Sequence, residues 1–213
     1  MVTSSQSLTL EEFLALPETK PASEYIDGNI IQKPMPQGEH STIQTELSSA
    51  INLALKPQKI ARAFSELRCT FRGRSTVPDV TIFTWDRIPR DDNGKIANAF
   101  TIEPDWTIEI LSPDQSHSKV VKNIFHCLDN GTQLGWLIDP KEELVFVYFA
   151  RQQPPREILD KDGQSWTKYP IFLVDKYYFF LKNWGILSAT TAKNYCFKTL
   201  TLRKTVHLCH IFL

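Results

Sequence analysis

Near the middle of the chain stand two apolar runs, Val77-Pro78-Asp79-Val80-Thr81-Ile82-Phe83 and Trp106-Thr107-Ile108-Glu109-Ile110-Leu111-Ser112-Pro113. Both are rich in β-branched and aromatic residues, which is typical of β-strands. Each run contains one carboxylate among apolar neighbours, Asp79 in the first and Glu109 in the second. A buried carboxylate is costly unless it is paired, hydrogen-bonded or bound to a metal. We therefore expect both carboxylates to have a specific role.

Two carboxylates on neighbouring strands, with a lysine following, suit a Mg²⁺ site for phosphodiester hydrolysis. Mg²⁺ takes oxygen ligands and commonly binds through one or two carboxylates, and a bound metal ion lowers the pKa of its water. A nearby lysine could position or deprotonate that water and balance the charge on phosphorus. Asp79 and Glu109 are the candidate metal ligands.

Length and composition predict one globular domain, with or without a small appendage. The chain has 213 residues, of which 42% are apolar and 23% charged, values ordinary for a globular protein with a sizeable core. No apolar run reaches the roughly 18 residues of a membrane helix, and the first residues lack the features of a secretory signal. The widely spaced cysteines form no Cys-x-x-Cys pair. We therefore expect reduced thiols in a cytoplasmic protein without a membrane span.

Charge is distributed unevenly although the net charge is zero. The last acidic residue is Asp175, and the six basic residues beyond it give the tail a charge of +6 against −6 for the preceding residues. Such an asymmetry can mark a nucleic-acid-binding tail or a tail under different constraints, and we favour the second interpretation. We predict a domain over residues 8–175 and a divergent basic and aromatic tail over residues 176–213.

The segments before Asp79 carry local signals for helices and strands. Thr9 and Glu12 have the spacing of a capping box for a short helix over residues 8–17, and the Asp27-Gly28 pair predicts a hairpin. Apolar residues recur at helical spacing over residues 40–55. Over residues 60–72, small side chains (Ala61, Ala63, Ser65) alternate loosely with larger ones (Phe64, Glu66, Arg68), which favours a single strand.

The segments after Glu109 predict a strand–helix–strand passage. Ser116 or Ser118 can cap an amphipathic helix that runs to Asn130. Residues 134–140 and 144–149 then read as strands. Such a passage argues for a mixed sheet covered by helices, and thus for an α/β fold.

The order of these motifs resembles the PD-(D/E)XK nuclease superfamily and, more narrowly, a bacterial family of putative restriction endonucleases. The resemblance covers residues 8–150. The matching motifs are Leu8-Thr9-Leu10-Glu11-Glu12-Phe13-Leu14, the Asp27-Gly28 hairpin, the helix beginning at His40, Pro78-Asp79-Val80, Glu109-Ile110-Leu111-Ser112-Pro113 and Trp136-Leu137-Ile138-Asp139-Pro140.

This resemblance implies a restriction-endonuclease-like fold, a mixed β-sheet flanked by helices with an N-terminal β-hairpin extension. It implies a Mg²⁺-dependent DNA endonuclease, with Mn²⁺ able to substitute, in which Asp79 and Glu109 bind the metal. We expect DNA as the partner and assembly as a homodimer. The alternative is a catalytically inactive protein that keeps the fold and binds nucleic acid or another partner.

The position of the catalytic lysine departs from the usual pattern. Leu111 occupies the position two residues after the glutamate, so the resemblance places the lysine on the following helix, at Lys119 or Lys122. With 100° per residue, Lys122 lies on the flank of that helix, about 130° from the centre of its apolar face, and Lys119 lies almost opposite. We select Lys122 as catalytic together with Asp79 and Glu109. The family often has its lysine eight residues before the helix-ending glycine, and Asn123 stands there.

Each of three further residues has two possible interpretations from the sequence. Glu24 either joins the site or forms a buried ion pair in the hairpin. His40 is either a site residue or only a residue at the start of its helix. Glu46 is either a site residue or a surface charge.

Overall fold

The computed structural model describes residues 8–113, 115–142 and 144–150. The described chain contains helices α1 (Leu10–Leu14), α2 (Gly38–Leu55) and α3 (His117–Asp129), a 3₁₀ turn (Lys56–Gln58), and strands β1 (Ser23–Ile26), β2 (Asn29–Gln32), β3 (Ala61–Ser65), β4 (Cys69–Phe71), β5 (Arg74–Thr76), β6 (Val80–Thr84), β7 (Trp106–Ile110), β8 (Leu134–Asp139) and β9 (Leu144–Phe149). The predicted boundary at residue 175 and the tail 176–213 lie outside the described residues.

A five-stranded sheet with the order β3-β6-β7-β8-β9 forms the centre of the described part of the chain. β7 and β8 are parallel, and the other neighbours are antiparallel. α3 provides the crossover that a parallel pair requires. The register places Val80 opposite Ile108 and Glu109 opposite Leu137. The predicted α/β fold with a mixed sheet flanked by helices is confirmed.

A second, antiparallel sheet has the order β2-β1-β5-β4. Its β1–β2 hairpin turns at Asp27 and Gly28, whose φ values of 51° and 81° lie in the left-handed region that such a turn requires. This confirms the hairpin extension. The single strand predicted over residues 60–72 is wrong, because Glu66 has a φ of 48° and the chain leaves the central sheet there to enter the second sheet as β4.

The short helix and the crossover helix begin differently. Thr9 and Glu12 form the predicted capping box at α1. Ser116 is the N-cap of α3 but makes no side-chain capping hydrogen bond, and its hydroxyl lies 3.0 Å from that of Ser118. Among the described residues, no helix has the length and apolar character needed to cross a membrane.

The central strand β7 is buried at every position, so its side chains meet protein on both faces of the sheet. On α3, Val120, Ile124 and Leu128 pack in one apolar cluster with Leu137, and each fully buried side chain of this kind contributes about 1.5–3 kcal/mol. The helix lies so close to β8 that a Cβ on Gly135 would stand 2.2 Å from the Cγ2 atom of Ile124. This close packing shields the strand that carries Glu109 from bulk water.

Candidate active site

Asp79 lies immediately before β6 and is held at both carboxylate oxygens. Its Oδ1 atom accepts a 2.7 Å hydrogen bond from the Lys33 ammonium. Its Oδ2 atom accepts a 2.7 Å hydrogen bond from the backbone N–H of Ile110 and lies 3.1 Å from His40 Nε2. The Asp79 carboxylate thereby links β6 to β7 where the two strands meet.

Glu109 extends from the middle of β7 toward the same ammonium. Its Oε2 atom lies 3.6 Å from Lys33 Nζ, and its side chain is 6% exposed. The structure therefore brings the two predicted carboxylates together, with one lysine between them.

Lys33 is a site residue that the sequence motifs do not identify. It follows β2 directly, and its Nζ also donates a 2.7 Å hydrogen bond to the carbonyl of Val77. The pairing of the hairpin could have identified it. Ser23 pairs with Gln32, and one step further the backbone N–H of Lys33 donates a hydrogen bond to the carbonyl of Ala22. Because side chains alternate along a strand, Lys33 then shares a face with Glu24.

Glu24 is a third buried carboxylate beside this group. Its Oε1 atom accepts a 2.7 Å hydrogen bond from the backbone N–H of Val77, and its Oε2 atom lies 3.5 Å from the amide nitrogen of Asn123. Asn123, which stands where the family often has its lysine, thus offers Glu24 a neutral amide. We call Glu24, Lys33, Asp79 and Glu109 the Lys33 cluster.

Helix α2 supplies two further partners of Asp79. Gln44 donates its side-chain N–H to the carbonyl of Asp79 at 2.8 Å. His40 is buried against Asp79, and its second nitrogen, Nδ1, has no hydrogen-bond partner within the described part of the chain. Glu46 is exposed on the same helix and does not join them.

Lys119 and Lys122 are exposed on α3. The charges that act on Asp79 and Glu109 come from Lys33 and the neighbouring buried groups, and no hydrogen bond or ion pair within the described residues joins Lys122 to either carboxylate. The structure does not bring Lys122 to the two carboxylates with which the sequence pairs it.

Burial and charge act on the carboxylates in opposite directions. Burial disfavours the charge on Asp79, but Lys33 and the His40 hydrogen bond outweigh it and lower the pKa of Asp79 to about 2. Burial raises the pKa of Glu109 well above its usual value and also raises the pKa of Glu24, against the attraction of Lys33. Burial opposes the charge on Lys33 as well, yet Glu109, Asp79 and Glu24 raise its pKa. One ammonium thus serves three carboxylates.

The donor atoms of this cluster fit a hard divalent cation. Asp79 and Glu109 offer carboxylate oxygens in a dry environment, and Mg²⁺ commonly takes one or two such carboxylates with water and substrate oxygens. No group of three or more His, Cys, Asp and Glu side chains is arranged to hold a metal within the described ranges. Asp79 and Glu109, which both approach Lys33, are the carboxylates that could hold such an ion.

Comparison with known proteins gives a consistent family. A sequence model of the Uma2 family, described as "putative restriction endonuclease", matches residues 10–173. A crystal structure of a "putative nuclease belonging to DUF820" from Anabaena variabilis is 63% identical, with a TM-score of 0.67. The alignment covers 73% of this chain and 90% of that chain. A comparison with curated proteins finds no match.

The family match covers more than half of the chain, and the solved relative shares the fold and most of its length. The nuclease description of both agrees with a cluster of buried carboxylates around a lysine. The chain therefore belongs to the Uma2 family of putative restriction endonucleases.

Proposed function

We propose that the protein is a Mg²⁺-dependent DNA endonuclease in which Asp79 and Glu109 bind the metal and Lys33 is the catalytic lysine. The observation that supports this proposal is the convergence of both carboxylates on one buried ammonium, at 2.7 Å and 3.6 Å. The description of the family as restriction endonucleases supports a nucleic acid as the substrate. Mn²⁺ is expected to substitute for Mg²⁺.

The residues have separate tasks in this proposal. When bound, the metal ion would lower the pKa of its water and so supply the nucleophile. The N–H of Ile110 and the side chains of His40 and Gln44 hold Asp79 in place. The ammonium of Lys33 balances negative charge on the phosphodiester as it reacts.

Cleavage of plasmid DNA with Mg²⁺ or Mn²⁺ tests the proposal. Asp79→Ala and Glu109→Ala should each reduce cleavage by about 100-fold or more, because each removes a metal ligand. Equal cleavage by wild type and both variants would mean that the activity comes from another site or a contaminant. A folded wild type that binds DNA without cleaving it would favour the alternative of an inactive binding protein.

The same assay decides between the two candidate lysines. We expect Lys33→Met to abolish cleavage and Lys122→Met to keep it, because Lys33 is buried against the carboxylates and Lys122 is exposed. The opposite result would restore the choice that the sequence favours.

Metal binding has a readout that does not depend on cleavage. Millimolar Mg²⁺ or Mn²⁺ should raise the melting temperature of the wild type, because an ion that binds only the folded state stabilises it. Glu109→Gln should remove this rise. A rise of the same size in the variant would show that the ion binds elsewhere.

We also propose a homodimer in which β2 is the contact. Among the described residues, β2 is an edge strand, and Ile30, Ile31 and Met35 expose 45%, 45% and 64% of their surface along and just after it. Exposed edge strands readily pair with another chain. Light scattering should give a dimer for the wild type and for Leu53→Asp, a control at another exposed apolar residue, but a monomer for Ile31→Asp. An unchanged mass in Ile31→Asp would contradict this contact.

Two predictions from the sequence remain part of the proposal. We assign the nuclease domain to residues 8–175 and expect truncation after Asp175 to keep the metal-dependent rise in melting temperature. We also propose a cytoplasmic location, supported by the free, buried thiols of Cys69 and Cys127. Burial raises the pKa of Cys69 to about 12, so this thiol does not serve as a nucleophile.

A further inference from the structure

The ammonium of Lys33 lies among three oxygen atoms. Two are 2.7 Å away, Asp79 Oδ1 and the carbonyl oxygen of Val77, and the third is Glu109 Oε2 at 3.6 Å. All three are hard donors of the kind that bind Mg²⁺ and Mn²⁺. A cation position already exists in the fold, and an amino group of the protein fills it.

The remaining oxygen of Asp79 is committed elsewhere. Asp79 Oδ2 accepts the backbone N–H of Ile110 at 2.7 Å and lies 3.1 Å from His40 Nε2. Oδ1 is therefore the oxygen that a metal ion would take, and Lys33 bonds to that same atom. An ammonium and a divalent cation repel each other, and they cannot occupy the same position between two carboxylates.

We propose that Lys33 is an internal counter-ion which occupies the cation position between Asp79 and Glu109, and that binding of a divalent cation displaces its ammonium. Metal binding and the Lys33–Asp79 ion pair are then mutually exclusive. The inference rests on the proposed function only for the assignment of Asp79 and Glu109 as metal ligands.

This exchange would explain how the protein folds with several buried carboxylates before a metal arrives. Lys33 neutralises part of their charge within the closed structure, with a side chain that is 14% exposed. Its long, flexible stem allows the ammonium to move while the backbone stays in the hairpin. Once displaced, the ammonium is a free cation beside the carboxylates and can meet an anionic phosphodiester.

Chemical labelling of the wild type tests the displacement. Acetylation by acetic anhydride, read by mass spectrometry of peptides, should be slow at Lys33 in EDTA and several-fold faster with Mn²⁺ at saturation. Labelling of Lys95, an exposed lysine in the loop between β6 and β7, should not change. Unchanged labelling of Lys33 in protein shown by calorimetry to have bound Mn²⁺ overturns the inference, and so does a wild type that binds no Mn²⁺.

Calorimetric titration with Mn²⁺ provides the second measurement. Lys33→Met should bind Mn²⁺ about tenfold more tightly than wild type, a coupling of ordinary size for two competing events, while Lys95→Met should bind like wild type. Equal or weaker binding by Lys33→Met overturns the inference. If Lys33→Met does not fold, labelling of the wild type alone decides.

Failure of this inference and failure of the proposed function have different signatures. Metal-dependent DNA cleavage with unchanged labelling of Lys33 would overturn only the displacement. Faster labelling of Lys33 in the wild type and tighter Mn²⁺ binding by Lys33→Met would support the displacement, and if the wild type then cleaved no DNA, only the proposed nuclease activity would be overturned.

Discussion

In each of two ionic clusters of this molecule, a single cation lies beside more than one carboxylate. In the first, which we call the Arg87 cluster, the guanidinium of Arg87 bonds to Asp105 and, at 2.7 Å, to Glu103. The second oxygen of Asp105 accepts the backbone N–H and the hydroxyl of Thr84 at 2.7 and 3.0 Å. The Arg87 side chain is 31% exposed, so water assists in solvating these charges.

The Lys33 cluster has more negative charge and less water. Glu24, Asp79 and Glu109 share one ammonium, and each of these carboxylates is buried. Only Asp79 has a strong bond from that ammonium, and the pKa of Glu109 is raised by burial.

This is the difference that we expect between a structural ion pair and the catalytic site that we propose. A guanidinium offers five donors in a fixed fork and saturates two carboxylates at once. A single ammonium between three buried carboxylates leaves negative charge without a partner, which lowers stability and attracts a further cation. Perturbed groups of this kind concentrate at functional sites.

Removal of the two cations should give the largest contrast. Lys33→Met should destabilise the metal-free protein by about 3 kcal/mol, because it leaves buried carboxylates without their counter-ion. Arg87→Met should cost less, about 1 kcal/mol, because Arg87 and Glu103 are partly exposed and the buried Asp105 keeps its two hydrogen bonds from Thr84. Urea denaturation in EDTA measures both, with Lys95→Met as a control within about 0.5 kcal/mol of wild type. Equal losses at Lys33 and Arg87 would remove the contrast between the clusters.

The pH dependence of stability should come from the Lys33 cluster. Folding raises the pKa of Glu109 above its ordinary 4.5, so its contribution to stability is full below that value and is lost as pH rises through the folded pKa. Folding lowers the pKa of Asp79 from 3.8 to about 2, so its contribution is present above 3.8 and is lost as pH falls through about 2.

Metal-free wild type should therefore lose stability as the pH rises from about 4.5 to neutral, and Glu109→Gln should lose less. The amide needs no proton to be neutral, and the variant should be at least as stable as wild type at the upper pH. Urea denaturation across this range supplies the comparison. Parallel pH profiles for the two proteins would show that Glu109 carries no such charge penalty.

A second cation in the Lys33 cluster should produce the smallest effect. Asn123→Lys would place an ammonium near Glu24 Oε2, where the amide now lies at 3.5 Å. We expect the metal-free protein to gain about 0.5–1 kcal/mol, making the Lys33 cluster more like the Arg87 cluster. Asn123→Gln controls for side-chain length. A loss of stability in Asn123→Lys but not in Asn123→Gln would show that repulsion from Lys33 exceeds attraction to Glu24.

The sequence predicts the carboxylates better than their cation. Asp79 stands directly before one short apolar strand and Glu109 within another, and a charged side chain buried there needs a partner. Lys33 lies 46 residues from Asp79. The local turn places Lys33 on the face of Glu24, but its approach to Asp79 depends on how the second sheet docks, through contacts such as Glu24 with the N–H of Val77.

The second sheet escapes prediction for a related physical reason. Alternating residues continue across Glu66, so no change of pattern marks the point where the chain changes sheets. The change is made by one residue in the left-handed region and by pairing with β5, which is a tertiary contact. The choice of Lys122 likewise rests on local information. Helix geometry compares residues of α3 only and takes no account of the hairpin, which brings Lys33 to Asp79 from another part of the chain.

The absence of a side chain at Gly135 has a mechanical consequence. Because even one added methyl group would stand 2.2 Å from Ile124, this glycine acts as a spacer of minimum thickness between α3 and the sheet. Asn123 precedes Ile124 on that helix, so any thicker spacer would lift the amide away from Glu24 without altering a single charge. Gly135 thereby sets the distance between α3 and β8, and Gly135→Ala would lengthen the contact between Asn123 and Glu24.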